Sequence, residues 1–305
     1  MGNGLCDEVT IVGQIRRHHP ITPYAFLTPA VVILALFFVW SLVDVAISST
    51  TNATAFRPAQ FVGLSNYARL LSDDRFWTCL GNSALYLLVT PAIIVVSLLS
   101  AMVIDAKLRG FGWLRVALFL PVITPTIVAA LAFRVLYNED TGLLNAILHQ
   151  LGSGGVRWLS ERPWTLVSAA IVTLWKGFGF YMMIFLAGLM SVPRELKEAA
   201  ALDGAGRWQV FRTVTWPALL PSISLVFVVS SISALKVFDE LYVTIQGAPL
   251  AHKTVVPLIY SIAFEEGDFG MACAVGVTLF AIILVFSIIN LRLTSSRAGG
   301  AGGGS

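Results

Sequence analysis

Charged side chains are scarce: Asp, Glu, Lys and Arg make up 12% of the 305 residues, about half the share usual in soluble globular domains. A water-soluble fold needs a charged shell that this composition does not supply, which excludes an ordinary soluble enzyme. Cysteine is nearly absent. Cys6, Cys79 and Cys273 are far apart, no CxxC pair occurs and no histidines stand at ligand spacing, so neither a disulfide framework nor a metal site is supported. The motifs GxxxxGK(S/T), HExxH and GxSxG and the EF-hand loop are missing too, so the chain is not expected to hold ATP phosphates, catalytic residues or a cofactor of its own. With 20 basic and 17 acidic residues, a net charge of +3, the balance is too even for a nucleic-acid surface.

What is abundant is apolar: 57% of residues, with a mean hydropathy of +0.81. A bilayer core of about 30 Å takes roughly 20 apolar helical residues to cross. Six runs meet that length, at 25–47, 83–104, 114–136, 166–190, 221–245 and 270–291. Each is apolar around its full circumference, so the expected fold class is all-α, a polytopic membrane bundle of six transmembrane helices. The segments 1–24 and 292–305 then fall on one side. That side also holds the turn after the second span and the loop after the fourth. It collects Arg16, Arg17, Lys107, Arg109, Arg115, Arg194, Lys197, Arg207, Arg212, Arg292 and Arg297, against Arg57, Arg69, Arg75, Arg157, Arg162 and Lys253 opposite. The positive-inside rule makes both termini cytoplasmic. The first run lacks a small-residue cleavage site and is read as a retained helix, while AGGAGGGS at 298–305 has the composition of a linker scar.

The loop 191–220 is unlike a connector. Pro193 opens a helix, Glu195 and Glu198 suit its N-terminal half, and RELKEAAAL has high helix propensity. Gly204 and Gly206 break it, and a second short helix from about Trp208 to Val214 is expected to end before Pro217. On physical grounds alone such a hairpin also suits an interfacial element resting on lipid headgroups.

Glu198-Ala199-Ala200, Asp203-Gly204-Ala205, Phe211, Val214 and Trp216-Pro217 resemble the EAA signature of binding-protein-dependent ABC importer permeases, with Val214 and Trp216 where Ile and Leu are usual. FVGLSNYARLLSDDRFW (61–77), FLPVITPTIVA (119–129), LWKGFGFYMMIFLAGLMSVP (174–193) and VFDELYVTIQGAP (237–249) are similar to the first permease subunit of the carbohydrate-uptake branch, typified by maltose and glycerol-phosphate importers. The resemblance implies a multi-pass protein of the bacterial plasma (inner) membrane. It implies as partners a second homologous permease subunit, two copies of an ABC ATPase that bring ATP and Mg, and an extracytoplasmic solute-binding protein. It makes Glu198, Ala199, Ala200, Asp203, Gly204 and Ala205 the ATPase-coupling residues.

Asp44, Arg134, Lys176 and Lys236 are the charges inside the runs. Snorkelling to a membrane face suits all but Lys176, for which structural pairing and a transport role stand equal. Uncharged residues suit a sugar better, through hydroxyl-directed hydrogen bonds and aromatic faces. Thr173, Trp175 and Tyr181 fall within about two turns of the fourth span, and Ser230 and Ser233 share a face of the fifth. Positions matching Thr173, Tyr181 and Ser230 line the sugar site of the maltose-type relative, which also uses an Asn where this chain has Ala234. Helix–helix packing explains the same residues equally well. Pro91, Pro121, Pro125, Gly177 and Gly179 are expected to interrupt their spans. An ATP-independent secondary transporter or channel is the alternative function; it leaves the EAA spacing unexplained.

Overall fold

The computed structural model describes residues 22–54, 59–106 and 113–299. The arm before residue 22, Arg57, the basic turn with Lys107 and Arg109, and the linker beyond residue 299 lie outside the described residues. Two units are present, 1–47 and 48–305. The first contains α1 (Phe26–Ser48), a 23-residue apolar helix long enough to cross a bilayer. Asp44 lies on it, exposed.

In the second unit, α2 (Ser65–Leu71) leads into α3 (Asp74–Asp105). Asp73 caps α3, accepting a hydrogen bond from the Arg75 backbone N–H at 2.9 Å. The helix is disturbed at Leu87 and Leu88, because Pro91 offers no N–H to the Leu87 carbonyl and its ring crowds that oxygen. Span three is two helices, α4 (Leu114–Ile123) and α5 (Thr126–Leu136), meeting at 98°. Pro125 causes the break: it forces the preceding Thr124 into extended backbone, at ψ 129°. Beyond α6 (Leu143–Gln150), α7 (Trp164–Met190) runs 27 residues without interruption.

Gly177 and Gly179 therefore do not break α7. Gly179 serves close approach instead: a Cβ there would collide with the Leu118 carbonyl oxygen and stand 3.0 Å from Val122 Cγ2 on α4. Gly188 similarly admits Ser222, and Ser97 on α3 donates to the Phe178 carbonyl at 2.9 Å. Lipid chains are as apolar as the side chains, so packing contacts and interhelical hydrogen bonds of this kind hold membrane helices together.

After α8 (Arg194–Leu202), α9 (Arg207–Leu235) is one continuous helix. This corrects the expectation of a short helix ending before Pro217 and a span over 221–245. A π-turn at Phe211–Thr215 precedes Pro217, which sits in the first turn of the regular helix that follows. The wider π-turn accommodates the missing N–H that would otherwise have ended the helix. At the other end the helix stops at Leu235, and the apolar run continues into the separate α10 (Asp239–Thr244). The chain closes with α11 (Val255–Glu265) and α12 (Phe269–Arg292). Among the described residues five helices are long and apolar enough to cross a membrane, six with the bent α4–α5 pair.

Segments 48–54, 59–73 and 236–268 meet on one face. Arg69 pairs with Asp268 at 2.9 Å, and Arg75 bridges Asp73 at 2.9 Å and Glu266 at 2.6 Å. Asn82 donates to the Ala251 and Lys253 carbonyls, each at 2.8 Å. Burial alone would raise the Asp73 pKa, but the hydrogen bonds and charge of Arg75 outweigh it and hold the carboxyl below its ordinary range. A depressed carboxyl stabilises the fold at pH above that range, and the contribution is lost as pH falls through it.

Candidate functional site

On the opposite face, α3 and α7 end beside the start of α9, and α8 projects between them. Its C-terminus forms a Schellman motif: the Ala205 N–H donates to the Ala200 carbonyl at 3.0 Å and the Gly204 N–H to Ala201 at 3.1 Å. Gly204 closes the motif at φ +82°, a left-handed conformation that side chains with a Cβ resist. Residues Ala200 to Ala205 thus carry the hydrogen-bonding pattern of the helix stop, with Asp203 as its C-cap.

The two faces of α8 differ. Lys197 turns inward and lines, with Asp105 and Arg207, a groove of about 380 Å³ between α8 and the ends of α3, α7 and α9. Glu198 and Ala199 are exposed, as are Leu196 at 54% and Leu202 at 89%. Among the described residues Glu198 has no ion-pair partner. α8 thus presents two leucines and an unpaired carboxylate to solvent.

In the middle of the bundle the structure separates the polar residues expected to act together. The Thr173 hydroxyl bonds the Tyr86 hydroxyl at 2.7 Å, an α3 residue that the sequence reading passed over. Tyr181 is 6% exposed, and its hydroxyl reaches Ser233 on α9, whose side chain is exposed. Where α3, α7 and α9 meet, these make two separate polar contacts along α7, Thr173 with Tyr86 and, about 12 Å further on, Tyr181 with Ser233; together they are the polar seam. Trp175 lies about 200° around α7 from Thr173 and packs edge-on against Phe133 at 5.3 Å. Ser230 is buried, and its hydroxyl donates to the Val226 carbonyl of its own helix at 2.6 Å. Neither joins the seam in this conformation.

Of the charges in the spans, Arg134 donates to Gln246 Oε1 at 2.6 Å, a partner that snorkelling did not foresee. Lys236 is exposed just past the end of α9, and Lys176 is half-buried on α7. Glu240 on α10 is half-buried too, and its carboxylate interacts electrostatically with Lys176. Nothing local in the sequence marks Tyr86 or Glu240, since each meets its partners across a long stretch of chain. Among the described residues no cluster of His, Cys, Asp and Glu is arranged to hold a metal.

Comparison with known proteins gives consistent matches. Residues 93–297 match the family described as binding-protein-dependent transport system inner membrane component. The trehalose/maltose transport system permease protein MalF of Thermococcus litoralis is 31% identical over 276 residues, covering 90% of this chain and 94% of the relative. The arabinooligosaccharides transport system permease protein AraP of Bacillus subtilis is 34% identical, covering 91% and 90%. Among solved structures, a chain of a bacterial alginate ABC transporter, in complex with its alginate pentasaccharide-bound periplasmic protein, superposes with a TM-score of 0.76. It is 20% identical, and the match covers 89% of this chain and 93% of that one.

Proposed function

The chain belongs to the binding-protein-dependent transport system inner membrane components, the permeases of ABC importers, and on that premise we propose that it carries a carbohydrate or related polyol. An extracytoplasmic solute-binding protein delivers the cargo, a second homologous permease completes the pathway, and two copies of a separate ATPase hold ATP and Mg, one of them docking on α8. Relatives named for trehalose, maltose and arabinooligosaccharides support the cargo class. The observation that carries the coupling role is the solvent-facing side of α8, with Leu196, Glu198 and Leu202 uncovered.

Movement imposed on α8 passes to the pathway through α9. That helix starts five residues after α8 ends and runs unbroken to Leu235, carrying Ser233 beside Tyr181. Pushing α8 therefore shifts one wall of the polar seam relative to the other. The disturbed turn before Pro91 and the bend at Pro125 give α3 and the α4–α5 pair compliance to follow. Thr173, Tyr181 and Ser233 serve as hydrogen-bonding groups along the path. Trp175 shapes its wall from behind, and Ser230 joins when α9 rearranges.

In this reading both termini and α8 are cytoplasmic. An impermeant thiol reagent applied outside intact cells should modify Ser72→Cys and spare Ser295→Cys; modification of the latter alone would invert the topology. Within the pathway, Tyr181→Ala and Ser233→Ala should each lower uptake several-fold, the equivalent of about 0.5–1.5 kcal/mol for a lost hydrogen bond. The assembled complex and its basal ATP hydrolysis should be unchanged. Unaltered uptake in both variants would assign these residues to packing.

A further inference from the structure

Five aromatic rings form an unbroken series on the extracytoplasmic side. Phe238 stacks on Tyr242 with centroids 5.1 Å apart and 22° between planes, and Tyr242 meets Tyr260 at 5.0 Å. Tyr260 meets Phe264 at 5.0 Å, and Phe264 meets Phe269 edge-on at 6.1 Å. The rings come from separate elements, at α10, α11 and the start of α12, so the fold brings them together from positions up to 31 residues apart in sequence. None is buried, and Phe264 is 69% exposed. The Tyr242 hydroxyl donates to that of Tyr260 at 3.5 Å, giving the apolar series a polar edge.

The rings touch one another in sequence. Glu240, two residues along the chain from both Phe238 and Tyr242, falls on the other side of the helix, where its charge acts on Lys176 of α7 and on Tyr86. A pyranose or furanose ring has an apolar face that stacks on an aromatic ring and a rim of hydroxyls that needs donors and acceptors, and this surface offers both.

We propose that this aromatic series is an entry subsite for neutral saccharides: successive sugar rings stack along it while the tyrosine hydroxyls hydrogen-bond their hydroxyls. Asp239 and Glu265, which have no ion pair among the described residues, flank it, so a sugar acid is disfavoured relative to a neutral sugar. The inference rests on the carbohydrate reading given above.

The test uses the complete transporter with its binding protein in proteoliposomes, probed with trehalose, maltose, maltotriose and arabinotriose. Import of none of these by the wild type would overturn the carbohydrate reading, and this subsite with it. For a sugar that is imported, each stacked ring contributes a factor of about two to ten. Tyr242→Leu with Tyr260→Leu should cut uptake per assembled complex about ten-fold or more, with a larger loss for a trisaccharide than for a disaccharide. Tyr242→Phe with Tyr260→Phe, which keep the rings, should lose less than about three-fold. Wild-type uptake by the leucine pair, or a lower yield of complex with unchanged uptake per complex, would overturn the subsite and leave the carbohydrate reading standing. Should the leucine pair fail to assemble, Phe264→Leu decides at an exposed ring: at least a two-fold loss per complex upholds the subsite, and no loss overturns it.

Discussion

Glu198→Lys and Gly204→Val should each leave a membrane-inserted permease that no longer drives uptake. Gly204 has open space around its missing side chain, so the penalty there is one of backbone conformation rather than a clash. At φ +82° a residue with a Cβ is disfavoured by roughly 1–2 kcal/mol, and a β-branched one is worse. Valine would therefore unlatch the Schellman bonds to Ala200 and Ala201 and change the angle at which α8 leaves the bundle. Asparagine tolerates the left-handed region, so Gly204→Asn should retain most of the coupling that Gly204→Val loses. For Glu198 the loss lies at the partner. The carboxylate is solvent-exposed in this chain, and reversal to lysine replaces an attractive contact with a repulsive one. Losing a desolvated charge-assisted contact costs a few kcal/mol, enough to weaken docking about a hundredfold. ATPase copurification and sugar-stimulated ATP hydrolysis read both effects. Asp74→Asn, at an exposed site on the opposite face, should alter neither.

Gly179→Val should have a comparably large effect by a different route, through loss of the assembled bundle. The added side chain meets the Leu118 backbone oxygen and Val122. A helix carbonyl cannot turn aside, so α4 and α7 must separate, at a cost of about 1–3 kcal/mol or more. Gly177→Ala, two residues away, supplies the control. Its Cβ would rest 3.5 Å from the Tyr181 ring, an ordinary contact, and the purified complex should keep its yield and melting temperature. Equal stability of the two variants would contradict the packing described for α4 and α7.

These two cases mark what the sequence discloses. The helix and stop of loop 191–220 are legible because their determinants are local: the helix formers and the glycine lie within a dozen residues, and the hydrogen bonds found there end the helix at that glycine. The spans are legible as apolar runs, but their ends are not. Hydropathy misses the first nine residues of α3, where Asp74, Arg75 and Asn82 dilute the signal. It also carries span five past Leu235, because the apolar residues of α10 follow with only Lys236 and Asp239 and Glu240 between. Pro217 reads as a helix stop because a π-turn that absorbs it leaves no mark in the sequence. Gly179 reads as a break because the sequence does not reveal which helix approaches it.

The polar residues of the pathway were half legible. Of the residues proposed to line it, Thr173 contacts Tyr86 and Tyr181 contacts Ser233, whereas Trp175 packs on Phe133 and Ser230 bonds its own helix in this conformation. Their neighbours were invisible for a simple reason: Tyr86 lies 87 residues from Thr173, and the Arg75–Glu266 pair spans 191. Contacts at such separations depend on the fold and on no repeating pattern along the chain.

The central claim is that this chain moves solute only as the membrane part of an ATP-driven assembly. ATP-dependent uptake into proteoliposomes tests it most directly, comparing this chain alone with this chain reconstituted with its second permease, ATPase and sugar-loaded binding protein. The predicted result is uptake by the full assembly that requires ATP and disappears with Glu198→Lys, and none by the chain alone. Solute flux through the chain alone, down a gradient or with an ion and indifferent to ATP, would contradict it and make the protein a secondary transporter or channel.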